Sequence, residues 1–128
     1  MPARLLAFTL LACSCAASGA QRAIECTYVY GGEEKVVRIS PTADPYRVPL
    51  VELGNRLAWK AVYVAAPDEL AVVSIYTYSL SQQGLVLIHQ VKYRPPFPQA
   101  GSKGFTGVHA IYEPRNSSEL QYWCEWAR

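Results

Sequence analysis

His89 and His109 are the only imidazoles in the chain. Imidazole is the commonest metal-binding side chain and the proton carrier of neutral pH. If the segment 94–105 closes a hairpin, Val91 lies opposite His109. His89 is then its diagonal neighbour on the same face, about 7–8 Å away. That spacing suits a copper or zinc pair, but a zinc site wants three or four ligands. Glu113 is the one acidic residue on these runs, and the single methionine is Met1. No cofactor is expected, and His89 and His109 stand as the metal candidates.

The other chemistry-bearing residues are less selective. Glycoside hydrolysis needs two carboxylates at a matched separation. Glu25, Glu113 and Glu125 all fall in strand-like runs, and nothing in the sequence selects a pair. No G-x-S-x-G elbow, H-E-x-x-H pair or phosphate-cradling glycine loop occurs, which removes the usual frames for serine, zinc and nucleotide chemistry. Ser74 and Ser79 read as surface hydroxyls. The expectation is a protein that is not an enzyme.

The cysteines say where the chain works. Cys13, Cys15 and Cys26 lie near the start and Cys124 near the end. Arg4, the apolar run Leu5 to Ala12 and the small residues Ala17-Ser18-Gly19-Ala20 follow the order of a secretory signal. The run is too short to span a bilayer, which takes about 20 residues. Residues 1–20 are therefore expected to be removed, leaving a single β domain over 21–128. A competing reading takes Leu10-Leu11-Ala12-Cys13 as a lipobox, with lipid on Cys13 and a membrane-anchored lipoprotein as the product. That leaves Cys15 unpaired, whereas cleavage after Ala20 leaves Cys26 and Cys124 to bridge in an oxidising compartment, periplasmic or secreted. A loop of roughly 100 residues closed in this way is worth about 4.7 kcal/mol in the chain-entropy model.

The elements that must position these residues are strands. AIECTYVY and EEKVVRIS flank Gly31-Gly32 as a hairpin would. Runs at 56–65, 71–80, 85–94, 105–114 and 119–127 alternate or are rich in β-branched and aromatic residues. With a short run before Gly54, this makes seven or eight strands, a mainly antiparallel sandwich or small barrel closed by one disulfide. The inward faces are expected to carry Ile24, Val37, Trp59, Tyr63, Val73, Leu87, Val91, Ile111, Leu120 and Cys124.

Cys26, Trp59 and Tyr122-Trp123-Cys124 resemble the cysteine, tryptophan and Tyr-x-Cys pattern of immunoglobulin domains. The resemblance implies an immunoglobulin-like general architecture, with the tyrosine bracing a corner of the sandwich. Only four residues follow Cys124, too few for that family's final strand, so the likeness is one of packing.

The chain carries 12 basic and 10 acidic residues, and the balance falls to +1 once Arg4 leaves with residues 1–20. No basic stripe is present, which argues against a nucleic-acid partner or an anionic membrane; membrane attachment would come only from lipid on Cys13. Nine tyrosines and three tryptophans are a heavy aromatic load. Trp59, Tyr63 and Tyr122 alternate inward, whereas Tyr76, Tyr78 and Trp123 alternate outward as a candidate platform for a glycan or protein. The proline-ordered loop offers Arg94, Phe97, Lys103 and Phe105 as a second recognition surface. Asn116-Ser117-Ser118 forms a glycosylation sequon, meaningful only in a eukaryotic secretory pathway. The expected function is an exported, non-catalytic binding or accessory module. The alternatives are a lipid-anchored structural or inhibitor protein, and a small metal-binding protein using His89 and His109.

Overall fold

A computed structural model describes residues 21–128; the expected leader, with its cleavage site and Cys13, lies outside the described residues. The strands are β1 (Ile24–Tyr30), β2 (Glu33–Ile39), β3 (Val51–Leu53), β4 (Leu57–Val64), β5 (Val72–Ser81), β6 (Gly84–Tyr93), β7 (His109–Glu113) and β8 (Ser118–Trp126). They form two four-stranded sheets, ordered β2-β1-β8-β7 and β3-β4-β5-β6. Every pairing is antiparallel. Among the described residues no helix is long and apolar enough to cross a membrane.

Local chemistry explains the turns. Gly31 and Gly32 take φ of 59° and 80°, the left-handed conformation a tight hairpin between twisted strands requires and β-carbons resist. Alternation then puts Ile24, Cys26 and Tyr28 of β1 into the interior, against Trp59, Ala61 and Tyr63 of β4. Trp59 is fully buried, with its ring 6.2 Å from Tyr28 and 5.6 Å from Tyr122. Burying each large apolar side chain contributes about 1.5–3 kcal/mol, so this aromatic layer is a principal tie between the sheets.

Cys26 and Cys124 are direct register partners on β1 and β8, joined by a disulfide that spans a sequence separation of 98. The bridge therefore fastens the first strand to the last within one sheet. In immunoglobulin domains the corresponding bridge crosses between sheets, so the resemblance stops at the residue types. The tyrosine corner is absent as well: the Tyr122 hydroxyl is buried with no hydrogen-bond partner among the described residues.

One expected core residue is elsewhere. Leu87 is 47% exposed. The β5–β6 register runs Thr77 with His89 and then Tyr78 with Leu87, leaving Ile88 as an extra residue. This bulge reverses the alternation of β6 beyond it, because one inserted residue turns every later side chain to the other face. Val37 and Val91 are only half-buried, since β2 and β6 are sheet edges. The other expected core residues are buried.

Candidate functional site

The two histidines do meet, but by another route. β6 edges one sheet and β7 the other, so no hairpin joins them. The rings face each other across the open side of the sandwich, with centroids 5.5 Å apart. His89 sits beside Thr77 and Thr77 beside Trp59 along one sheet; His109 sits beside Tyr122 along the other. Contacts Trp59–Tyr122 and His89–His109 close these five side chains into an inner row.

His109 is committed within this row. Its ring stacks on Tyr122 at 5.0 Å, and its Nε2 shares a 2.6 Å hydrogen bond with the Tyr93 hydroxyl. Burial, followed by the neighbouring His89, holds its pKa below the ordinary histidine value, against an opposing hydrogen bond to the Thr106 backbone. Burial pushes the Tyr93 and Tyr122 hydroxyls up, so neither readily supplies a phenolate ligand. Trp59 Nε1, Thr77 Oγ1, His89 Nδ1 and Tyr122 Oη have no hydrogen-bond partner among the described residues. An indole N–H can only donate, so Trp59 cannot serve this row as a cation ligand. Among the described residues no group of three or more His, Cys, Asp or Glu side chains comes together.

The carboxylates separate. Glu25 and Glu125 are register neighbours on the outer face of the first sheet, and Glu25 accepts a 3.1 Å hydrogen bond from Arg38. Glu113 points inward at the opposite end of the sheet, 2% exposed beneath Arg115. It accepts hydrogen bonds from the Arg115 backbone N–H, Nε and Nη2 at 3.0, 2.9 and 2.6 Å. The Arg115 side-chain hydrogen bonds, then that backbone bond, hold the Glu113 carboxyl at about 2. A carboxylate clamped in this way is structural in character. Ser79 is also buried, and helps to lower the Glu113 carboxyl; Ser74 is buried on the outer face of the second sheet. Neither is the surface hydroxyl expected.

The 94–105 loop divides its candidates. Phe105 is 3% exposed, stacks on Trp126 at 4.9 Å and meets Phe97 at 5.8 Å. Phe97 also packs edge-on to Trp126 at 5.1 Å. The phenylalanines therefore seal one end of the sandwich, while Arg94 and Lys103 face solvent. The segment is stitched to β8: the Phe105 N–H donates to the Cys124 carbonyl, and the Cys124 N–H donates to Thr106 Oγ1. Gly104 makes this possible. A β-carbon there would lie 2.0 Å from the Cys124 oxygen, and its φ is +66°.

The outward aromatics do not form one patch. Trp123 is on the outer face of the first sheet, beside Thr27, with Lys103 Nζ 3.9 Å above its ring. Tyr76 and Tyr78 are on the outer face of the second, stacked at 6.3 Å, with Lys60 Nζ 5.6 Å from the Tyr76 ring. There they border a groove of about 380 Å³ whose floor includes Val62 and Ser74. Its far wall is Pro45 and Tyr46, from the 3-10 turn Pro45–Arg47. The Asp44 carboxylate accepts a 3.1 Å hydrogen bond from the Tyr46 N–H, and Tyr46 is left 93% exposed. Tyr46 and Lys60 are the site residues the sequence reading missed. Asp44-Pro45 signals a turn, but nothing local shows which face of the sheet that turn will overhang.

Comparison with protein-family models, curated proteins and solved structures finds no match for this chain.

Proposed function

We propose that this protein is an exported, non-catalytic recognition module, released by removal of residues 1–20, that binds a glycan in the groove between Tyr46 and the Tyr76–Tyr78 pair. The observation that carries this reading is the groove itself. Three tyrosines border it, one almost wholly exposed and two stacked on a rigid strand. A tyrosine ring gives a sugar face apolar area at low conformational cost, and its hydroxyl gives a polar contact at the rim. The Cys26–Cys124 disulfide fits an oxidising compartment, as export requires. Intact mass after expression with residues 1–20 tests the export reading: a chain starting at Gln21 supports it, and a lipidated chain starting at Cys13 replaces it with a tethered form.

Affinity electrophoresis through soluble polysaccharides tests the binding. Tyr46→Ala with Tyr76→Ala should weaken retention at least about tenfold, which is ~1.4 kcal/mol, measured at a temperature where the variant's melting curve shows it fully folded. Retention that survives the double change, or that instead follows Trp123→Ala, overturns the assignment of the groove.

A further inference from the structure

The groove's charge goes further than its shape. On the outer face of the second sheet, Lys60 of β4 is the register partner of Tyr76, and Lys92 of β6 is the partner of Ser74. β5 lies between them, so Lys60 lines the groove and Lys92 stands on the strand at the other side of the Tyr76 row, outside the groove's lining. Their strands are about 10 Å apart. Neither lysine belongs to an ion pair among the described residues. Arg47, at the end of the 3-10 turn, is held by Asp44 at 3.0 Å. Among the strand positions of this face the acid is Glu52 on β3, beside Ala58 and away from Tyr76; at the turn, Arg47 neutralises the Asp44 carboxylate.

The first sheet shows the opposite balance. Its outward register positions carry Glu25, Glu34, Glu119 and Glu125 against Arg38. The strand positions of a near-neutral chain are thus sorted by charge, with unpaired cations on the tyrosine face and carboxylates on the far side, where Lys103 from the loop lies over Trp123.

We infer that the ligand is an acidic polysaccharide, a chain of uronate-type sugars whose rings stack on Tyr76 and Tyr46 while their carboxylates lie between Lys60 and Lys92. This rests on the groove reading above and adds the ligand's charge class. Lysine suits the task because its flexible stem follows a chain of varied shape, whereas arginine's rigid fork fixes one geometry. Such pairing at a surface is screened by salt, with a Debye length of about 10 Å at 0.1 M.

The test compares polygalacturonate with its fully methyl-esterified form, which has the same backbone without the charge. The wild type should bind the acid form at least about tenfold tighter, and added salt should narrow that gap. Lys60→Gln with Lys92→Gln should bring the acid form down to the affinity of the ester and leave the ester unaffected; the melting temperature reports the fold. If both polymers bind equally and the lysine changes do nothing, while Tyr46→Ala with Tyr76→Ala abolishes binding, the charge class is wrong and the groove stands. If neither polymer binds, or binding ignores the tyrosines, both readings fall.

Discussion

Trp123 and Tyr76 begin alike. Each is an outward aromatic on a central strand, each is half-buried, and each has a lysine over its ring. Their surroundings differ. Beside Trp123 a segment from 101 to 106 is hydrogen-bonded onto β8 and brings Lys103 to 3.9 Å from the ring. Beside Tyr76 the lysine comes from the neighbouring strand at 5.6 Å, and lysine and ring together line an open groove. Alternation decides which face an aromatic occupies. Whether that aromatic is covered depends on where a distant segment comes to lie.

Phe105→Ala breaks the covered side most directly. Removing a ring that is 3% exposed and packed on Tyr93, Phe97 and Trp126 should cost about 3–5 kcal/mol. Urea unfolding would show this, and groove binding should persist at temperatures where the variant is folded. A loss below about 1 kcal/mol would mean that the loop is not part of the core.

Glu113 repeats the covering motif at greater depth, since Arg115 lies over it as Lys103 lies over Trp123. Its folded pKa, about 2, is below the ordinary glutamate value near 4.3. The unfolded chain therefore binds the proton first, and stability present above about pH 4.3 is lost as pH falls toward the folded value. Glu113→Gln should lower stability at neutral pH and flatten that acid slope. An unchanged slope would show that Arg115 does not hold the carboxylate.

His109 makes a second window with the same sign. Its folded pKa is depressed, so it stays neutral where the unfolded chain takes up a proton. Stability is complete above about pH 6.5 and falls as pH drops below it. His109→Gln should remove that part of the pH dependence, read from urea midpoints across the range. Thr77→Val probes the same inner row. It replaces a fully buried hydroxyl that has no partner among the described residues with a methyl of the same shape. A gain of about 1 kcal/mol is expected from relieving a buried unpaired group. A loss would show that the hydroxyl is engaged.

The sequence carried what period-two alternation and covalent chemistry can carry. Cys26 with Cys124, Trp59 and Tyr63 within, and the Gly31-Gly32 hairpin were all legible, because each depends on neighbours in sequence or on a pairing with a single partner. Leu87 was misplaced because the Ile88 bulge leaves no local mark. The histidines come together across the layers, since strand count alone does not say that β6 and β7 close opposite sheets. Phe97 and Phe105 read as a recognition surface because a loop's inward residues have no periodicity. Tyr46 was passed over because its exposure arises from the turn that Asp44 caps.

Lys103→Ala is the smallest change and the sharpest for the comparison. An exposed cation over a tryptophan is worth about 0.5–1 kcal/mol, so stability should hardly move. Trp123 should become more open to acrylamide quenching, while Trp59, fully buried, stays protected. Affinity in the Tyr46–Tyr76 groove should be unchanged, because Lys103 covers the opposite outer face. If quenching does not rise, the loop does not shield Trp123. If groove affinity falls with it, the two faces act as one surface, and the contrast between a covered and an open aromatic is lost.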